Sequence, residues 1–542
     1  MKFEAERFST YFRRSLVALD ARLGDGPARE RLAGLVAEPL DDAVLQGLLA
    51  SESAAVPVET ALRRARNWMM LALIERDVRG DATLDEVCRT MTDFARRSLA
   101  LALAEAAAPL VERHGRPLDR DGRPQDMLVV GMGKAGGDEL NVSSDLDLVF
   151  LFRGEGESEG SAGGGGRIAS SEWMHRLARR TIALLSEITA DGFVFRVDTR
   201  LRPNGDSGPL VVPLGMLEHY FLAQGREWER FAWLKGRVLA DSGMAGARAR
   251  TEDEAQLAQI VEPFVFRRYM DYEAFAALRD LHRLIRSEVA RRAARDPQAI
   301  DVKLGRGGIR EIEFTAQLFQ VVRGGRDPGL RDPRTLVTLA ALAERGLLPA
   351  EEADQLADAY RLLRRTEHAL QYRDDAQTHR LPRDPAVRAD VAAMLRMTPE
   401  TFDRAIDEAT ETVSQIFDRL LSPTNGDGEE NADDDAAEPV PIDAEVERRF
   451  ALFRSGARYA ASRESTREAI ERLLAEAVRQ RTGNDGLIRL VDLLDTVCRR
   501  PAYVALLAQF PQAFERVLRI LDWSKWPADY LMRHPVVLDE LL

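Results

Sequence analysis

Between Val129 and Phe152 the chain reads Val-Val-Gly-Met-Gly-Lys-Ala-Gly-Gly-Asp-Glu-Leu-Asn-Val-Ser-Ser-Asp-Leu-Asp-Leu-Val-Phe-Leu-Phe, and no other run constrains the fold as much. The unbroken apolar stretch from Leu148 to Phe152 demands a buried strand. Side chains alternate along a strand, so Asp145 and Asp147 share one face while Leu146 and Leu148 enter the core. Two carboxylates that close together need a cation, which makes the pair a candidate Mg²⁺ site. The glycines at 131, 133, 136 and 137 come just before it, where the backbone must turn tightly and expose N–H groups to an anion such as a triphosphate.

At 542 residues the chain is long enough for several domains, since single cores rarely grow beyond about 250 to 300 residues. A formal charge of -13 argues against an extended nucleic-acid surface, because such binding neutralises phosphates with Lys and Arg. Cys88 and Cys498 are too few for a disulfide framework and too isolated for a zinc site. The start, Met1-Lys-Phe-Glu-Ala-Glu-Arg, lacks the apolar core of a signal peptide, and no stretch approaches an uncharged membrane span. A cytoplasmic protein that binds neither membrane nor nucleic acid is expected.

Basic charge is carried almost wholly by arginine. Lysine stands only at positions 2, 134, 235, 303 and 525, and three of these five fall in motifs singled out on other grounds. A compact ammonium acts as a point charge on phosphate in a way that a planar guanidinium does not reproduce, so Lys134, Lys235 and Lys303 are candidate phosphate contacts.

Along the chain, residues 1–120 show helical spacing, as in Ala61-Leu-Arg-Arg-Ala-Arg-Asn-Trp-Met-Met-Leu-Ala-Leu-Ile. Residues 121–255 change to strands and helices: strands over Met127–Gly131 and Leu146–Phe152, a helix over Ser171–Ala190, then a strand over Gly192–Leu201. The polar, glycine-rich tract from Gly154 to Arg167 reads as a mobile surface loop. Residues 256–422 return to the helical period; Ala353–Gln371 carries apolar residues on one side and Arg, Glu and Asp on the other. Residues 423–443 form an acidic linker, and residues 444–542 are helical without chemistry of their own.

In Gly192–Arg202 the residues Phe193, Phe195, Val197 and Leu201 alternate with Arg196, Asp198, Arg200 and Arg202. Arg196 is expected on an exposed charged face. Asp198, flanked by arginines that suit phosphate oxygens, is the expected third metal carboxylate, with Arg200 beside the phosphates. The turn cluster Pro203–Pro209 follows and would close over a substrate. Gly225–Arg237 reads as a helix on which Arg226, Arg230 and Lys235 line a phosphate or base pocket, or form a solvated face with Glu227 and Glu229 as partners. A second glycine-rich loop, with Gly305, Gly307 and Gly308 before a helix starting near Ile309, makes Lys303, Arg306 and Arg310 a second phosphate site. Seven scattered histidines give no zinc or Ser-His-Asp arrangement, and His175, His219 and His368 are expected to be surface or helix-packing residues.

A glycine turn followed by Asp-x-Asp on a strand resembles the nucleotidyltransferase superfamily. The resemblance sharpens with Gly131-Met-Gly-Lys, Glu139-Leu-Asn-Val-Ser-Ser-Asp-Leu-Asp147, Asp198-Thr-Arg-Leu-Arg-Pro203, Gly205-Asp-Ser-Gly-Pro-Leu-Val211 and Gly307-Gly-Ile-Arg-Glu-Ile-Glu-Phe314. These look like the amino-terminal, adenylyl-removing half of the bacterial bifunctional glutamine synthetase adenylyltransferase/adenylyl-removing enzymes, over nearly all of the chain. Ala135 departs from the leucine usual after the lysine. The resemblance implies an α+β fold: a polymerase-beta-like mixed-sheet nucleotidyltransferase core embedded in large helical domains. It implies phosphorolysis of an AMP–tyrosine ester on glutamine synthetase, giving ADP and free tyrosine. In the implied assignment Asp145, Asp147 and Asp198 hold Mg²⁺, Gly136, Gly137 and Ser144 bind phosphates, and Lys134 balances their charge. Implied partners are glutamine synthetase, a PII-type signal protein, phosphate and ADP or ATP, in the control of nitrogen assimilation. The chain ends on Pro535–Leu542, a segment that in the family lies between two catalytic halves; a truncation, or a transferase half encoded elsewhere, is expected. Two alternatives stay open: ATP-dependent adenylyl transfer onto glutamine synthetase, and a non-catalytic fragment that binds glutamine synthetase or a PII protein.

Overall fold

The computed structural model describes residues 2–23, 26–161, 166–267, 300–421, 443–480, 482–498 and 501–523. They fall into two compact units, one ending at Phe417 and one beginning at Asp418.

The first unit is mostly helical around a five-stranded mixed sheet. Strands β1 (Met127–Gly131) and β2 (Leu146–Phe152) occupy the bounds their apolar runs predict. β1 pairs antiparallel with β2 on one side, and with β5 (Arg237–Asp241) on the other. The second edge of β2 is shared between two short parallel partners. Its start meets β3 (Val197–Asp198) and its end meets β4 (Val211–Pro213). Every residue of β1 is buried, as is every residue of β2 except the half-buried Asp147. A strand hydrogen-bonded on both edges and covered on both faces has no solvated side, which is why these runs lack polar alternation.

Three local expectations are corrected. The strand expected over Gly192–Leu201 shrinks to Val197–Asp198, because β4 takes the rest of the edge of β2. The Asp198 carboxylate also accepts the Arg200 backbone N–H at 2.9 Å, an Asx turn that ends the strand. The helix expected over Gly225–Arg237 covers only Glu227–Trp233. The chain then turns, Gly236 N–H donating to the Trp233 carbonyl at 3.0 Å, and Arg237 opens β5. The tract Gly154–Arg167, expected to be a mobile loop, is pinned at its described ends. The Glu159 and Gly160 amides donate to the Arg116 and His114 carbonyls, Ser158 is buried, and His114 Nδ1 lies 3.0 Å from the Gly166 carbonyl. Residues 162–165 lie outside the described residues.

Two helices frame the site from the amino-terminal side. Leu84–His114, its first turn capped by the Thr83 hydroxyl, packs on Ser170–Ser186 and on β5. Val58–Arg79 is buried on nearly every side, and its charges are answered inside the protein. Arg63 donates to the Glu187 and Gly192 carbonyls at 2.6 and 3.0 Å, and Arg66 pairs with Asp375 at 2.9 Å. These contacts fasten the segment that leads into β3. From the other side come the helices Ile309–Arg323, which starts where the sequence predicts, and Ala350–Tyr372.

The second unit packs the helices Ala444–Arg454, Glu464–Arg479, Asn484–Val497, Pro501–Gln509 and Pro511–Trp523 around Phe450, Leu473, Leu490, Leu494 and Val517. The Asp443 carboxylate caps the first of these helices. The rest of the acidic linker, and residues 524–542, lie outside the described residues.

Candidate active site

The parallel pairing of β2 with β3 sets Asp147 opposite Asp198, and Asp145 stands just before β2, close enough for its charge to reach Asp147. The three carboxylates of the sequence reading are therefore brought to one mouth of the sheet. Their environments differ. The Asp145 carboxylate accepts from Arg196 Nε at 2.6 Å, so Arg196, expected on an exposed charged face, is instead half-buried and serves the site. Asp198 accepts from Arg200 Nε at 2.8 Å, and that hydrogen bond holds its carboxyl below the usual range. The Asp147 carboxylate has no hydrogen bond or ion pair among the described residues. Burial, and then the charges of Asp198 and Asp145, push it up to about 6. Lys303 and Arg200 are the cations whose charge reaches it.

The glycine turn closes against this mouth. Gly133 adopts a positive φ of 55°, and a Cβ there would lie 3.4 Å from Asp147 Oδ2. Gly136 is required by packing: an added Cβ would lie 1.6 Å from the Lys235 carbonyl oxygen. The amides of Gly136 and Gly137, expected to bind phosphate, donate instead to the Met132 and Gly133 carbonyls at 3.4 and 3.1 Å, so these two glycines shape the turn. The N–H groups of a helical turn that lack an internal partner are the first ones, here from Gly133 onward. Ser144 is half-buried in the next turn, its amide donating to the Asn141 carbonyl at 3.4 Å.

The lysines part company. Lys134 is half-buried with Nζ 2.9 Å from Glu367 Oε2, and Lys303 Nζ faces the other oxygen, Oε1, at 3.8 Å. Burial lowers the Lys134 ammonium to about 8 against the pull of Glu367. Burial opposes the Glu367 charge, but Lys134, Lys303 and Arg364 outweigh it and hold the carboxyl far below its ordinary value. Lys235 is different: it is buried, and Glu139 Oε2 at 2.5 Å and Thr335 Oγ1 at 3.2 Å take its ammonium. It ties the glycine turn to the helix Thr335–Glu344 and does not present a charge to ligand. Arg230, expected in the same pocket, is fully buried and donates to Glu227 and to the Val265 carbonyl. Glu229 accepts from Tyr220 and from the Arg226 amide.

The second glycine loop is not an amide cradle. The Lys303 and Leu304 amides donate to the Asp301 carboxylate, the Gly305 amide to the Asp301 carbonyl, the Gly307 amide to Glu311 Oε2, and the Gly308 amide to the Gly305 carbonyl. A Cβ on Gly307 would lie 1.8 Å from the Thr410 carbonyl, so the glycines serve close packing against the helix Pro399–Leu421. What the loop delivers is the Lys303 side chain. Arg310 is exposed on the first helical turn beyond it.

A polar stripe on Ala350–Tyr372 completes the site, and the sequence reading placed its charges on the wrong side. Arg364 is fully buried and donates to the Glu139 carbonyl and to Asn141 Oδ1, both at 2.6 Å. His368 Nε2 lies 3.1 Å from the same Asn141 oxygen, and Gln371 Oε1 accepts the Ser143 amide at 3.2 Å. His368 is thus a helix-packing residue, as expected, while His175 and His219 are exposed. Arg364, Glu367, His368 and Gln371 follow the i, i+3, i+4, i+7 spacing of one helix face, and that face grips the segment from Lys134 to Ser143. The spacing was the available signal; amphipathicity alone assigns such residues to solvent.

Hard carboxylate oxygens suit a divalent cation such as Mg²⁺, and Asp147, raised and unpartnered among the described residues, fits that role chemically. With Asp145 and Asp198 turned to their arginines, no group of three or more His, Cys, Asp or Glu side chains among the described residues is arranged as a metal cluster. Among the described residues no helix is long and apolar enough to cross a membrane.

Residues 23–253 match the family model of glutamate-ammonia ligase adenylyltransferases, and residues 279–421 match that of GlnD PII-uridylyltransferases. The chain is 44% identical over 95% of its length to the bifunctional glutamine synthetase adenylyltransferase/adenylyl-removing enzyme of Ralstonia nicotianae, covering 57% of that protein. It is 44% identical over 95% of its length to the protein of the same name from Burkholderia pseudomallei, covering 59% of it. The relative from Thioalkalivibrio sulfidiphilus is 39% identical over 94% of the chain, which covers 54% of that protein. The chain thus spans somewhat more than half the length of these relatives. Identity of this order over nearly the whole chain supports one assignment: the chain belongs to the nucleotidyltransferase family of glutamine synthetase adenylyltransferase/adenylyl-removing enzymes.

Proposed function

We propose that this chain removes AMP from an adenylylated tyrosine of glutamine synthetase by Mg²⁺-dependent phosphorolysis, with residues 121–255 as a polymerase-beta-like catalytic core. The observation that carries the reading is Asp147, a carboxylate raised to about 6 between two others and beside a glycine turn. Such a group is a cation site waiting for charge, and family membership names the chemistry. Asp145, Asp147 and Asp198 would hold the metal, which when bound supplies positive charge against the phosphoryl oxygens.

An oxygen of monohydrogen phosphate attacks the α-phosphorus, the phosphorus–oxygen bond to tyrosine breaks, and the phosphate proton ends on the phenol, giving ADP and tyrosine. A phenolate with a pKa of about 10 leaves without a strong acid, so positioning and charge stabilisation suffice. Lys134 and Lys303 orient and balance the phosphates. Arg196 and Arg200 hold the carboxylates and lie within reach of the same oxygens; Ser144 and Arg310 line the approach. The match of residues 279–421 to PII-uridylyltransferases supports a regulatory link to a PII-type protein and hence to nitrogen assimilation.

The test is incubation of the chain with adenylylated glutamine synthetase, Mg²⁺ and labelled phosphate. Labelled ADP that requires phosphate is the expected product. Incorporation of AMP from ATP into unmodified enzyme, without phosphate-dependent ADP, would replace this reading with adenylyl transfer; neither activity would leave a binding fragment.

A further inference from the structure

Glu367 lies on a helix far from the glycine loops in sequence, yet each of its two oxygens faces a lysine from a different loop. We propose that Glu367 is a positioning residue: it holds Lys134 and Lys303 together at the carboxylate mouth so that both ammonium groups meet the phosphates of the substrate. The inference rests on the phosphorolysis reading above and extends it to a residue outside the glycine and carboxylate motifs.

The charge count separates this from an ordinary structural ion pair. Lys235 has its own buried carboxylate, Glu139, and a threonine hydroxyl, and its ammonium is taken. Around Glu367 stand three cations: Lys134 at 2.9 Å, Arg364 at 3.6 Å and Lys303 at 3.8 Å. The charge of Glu313 reaches Lys134 and that of Glu139 reaches Arg364, but among the described residues Glu367 is the carboxylate ion-paired with all three. The Lys134 ammonium gives one of its three N–H donors to Glu367 and makes no other hydrogen bond among the described residues, which leaves donors for an anion. Lys303 remains partly exposed, and its charge is felt by Asp147. Glu367 itself is buried beneath the lysines, where ligand does not reach it. Its helix is in turn clamped to the same segment by Arg364 and Gln371. The arrangement orients two lysines beside the carboxylate mouth while leaving ammonium donors for an anion.

The experiment is a double-mutant cycle on the full chain, with Glu367→Gln, Lys134→Met and their combination. Deadenylylation kinetics and ADP binding by calorimetry are the readouts, with melting curves to establish folding. Glu367→Gln should raise the KM for phosphate by about tenfold or more, with a smaller change in kcat. In the Lys134→Met background the same substitution should cost several-fold less, because one of the two lysines it positions is gone. Independent, multiplicative losses would show a merely structural role and overturn the proposal. Should Glu367→Gln fail to fold, Glu367→Asp keeps the charge on a shorter stem: a raised phosphate KM at unchanged melting temperature supports positioning, and an unchanged KM overturns it. If every variant and the parent lack deadenylylation, the phosphorolysis reading falls. The coupling measured in ADP affinity then decides the role of Glu367 by the same rule.

Discussion

Replacing Asp147 by Asn should make the metal-free protein more stable and catalytically dead. In the folded chain burial and two neighbouring carboxylates raise this group to about 6, against 3.8 for an ordinary aspartate. The folded state therefore binds its proton more tightly than the unfolded state. Stability contributed by that proton is present at low pH and is lost as pH rises from about 4 to about 6. Above pH 6 the ionised Asp147 costs the fold about 2 units at about 1.4 kcal/mol each, or about 3 kcal/mol. Asn keeps the shape and removes the charge. For a unit of about 400 residues, an unfolding entropy of about 2.1 cal/mol/K per residue converts this to a rise in melting temperature of about 2 to 4 °C. The assay is differential scanning calorimetry of both proteins in EDTA at pH 8 and at pH 4. The difference should be present at pH 8 and absent at pH 4. Deadenylylation by the variant should fall by at least about 10²-fold, and added Mg²⁺ should stabilise the parent more than the variant. A variant no more stable than its parent at pH 8 would refute the charge argument; full activity would refute the metal assignment.

Lys134→Arg and Lys303→Arg should each raise the phosphate KM or lower kcat by about several-fold, since a planar guanidinium does not replace an ammonium wedged against Glu367; Lys2→Arg, exposed at the start of the chain, should do neither in the same steady-state assay. Gly136→Ala should lower the melting temperature and impair expression of folded protein, because its Cβ would meet the backbone oxygen of Lys235 at 1.6 Å, a clash with main chain that no side-chain rotation relieves. Arg364→Met, measured by denaturant unfolding, should cost about 3 to 5 kcal/mol: it strips a buried cation from the Glu139 carbonyl, Asn141 and Glu367 together.

Local pattern determined a large part of this protein. An apolar run with no polar alternation can only be a strand covered on both faces, so Met127–Gly131 and Leu146–Phe152 were legible residue for residue, and with them the nearness of Asp145 to Asp147. The start of the helix at Ile309 was legible for the same reason: glycines end one conformation and helical periodicity begins another. Short elements were not. β3 and β4 have two and three residues, too few for a period, and exist only because the edge of β2 lacks a partner without them.

The glycine loops show the limit more sharply. Both look alike as sequence, a cluster of glycines with a lysine before a helical turn, yet in 302–308 the amides are consumed by Asp301, Glu311 and the loop itself. Whether an N–H is available depends on which acceptors fold back onto it. The lysines teach the same lesson: Lys134 and Lys235 are equally rare in the chain, and only tertiary structure gives one a surplus of cations around a single carboxylate and the other a carboxylate of its own. Glu367 could not be paired with Lys134 by reading, because 233 residues separate them and a buried charge on an amphipathic helix looks like any solvated one. Sequence determines which side chains can carry charge and which runs must be buried. Only the packed fold decides which charges face one another, because desolvation and partner geometry, both long-range in the chain, set the energy of each.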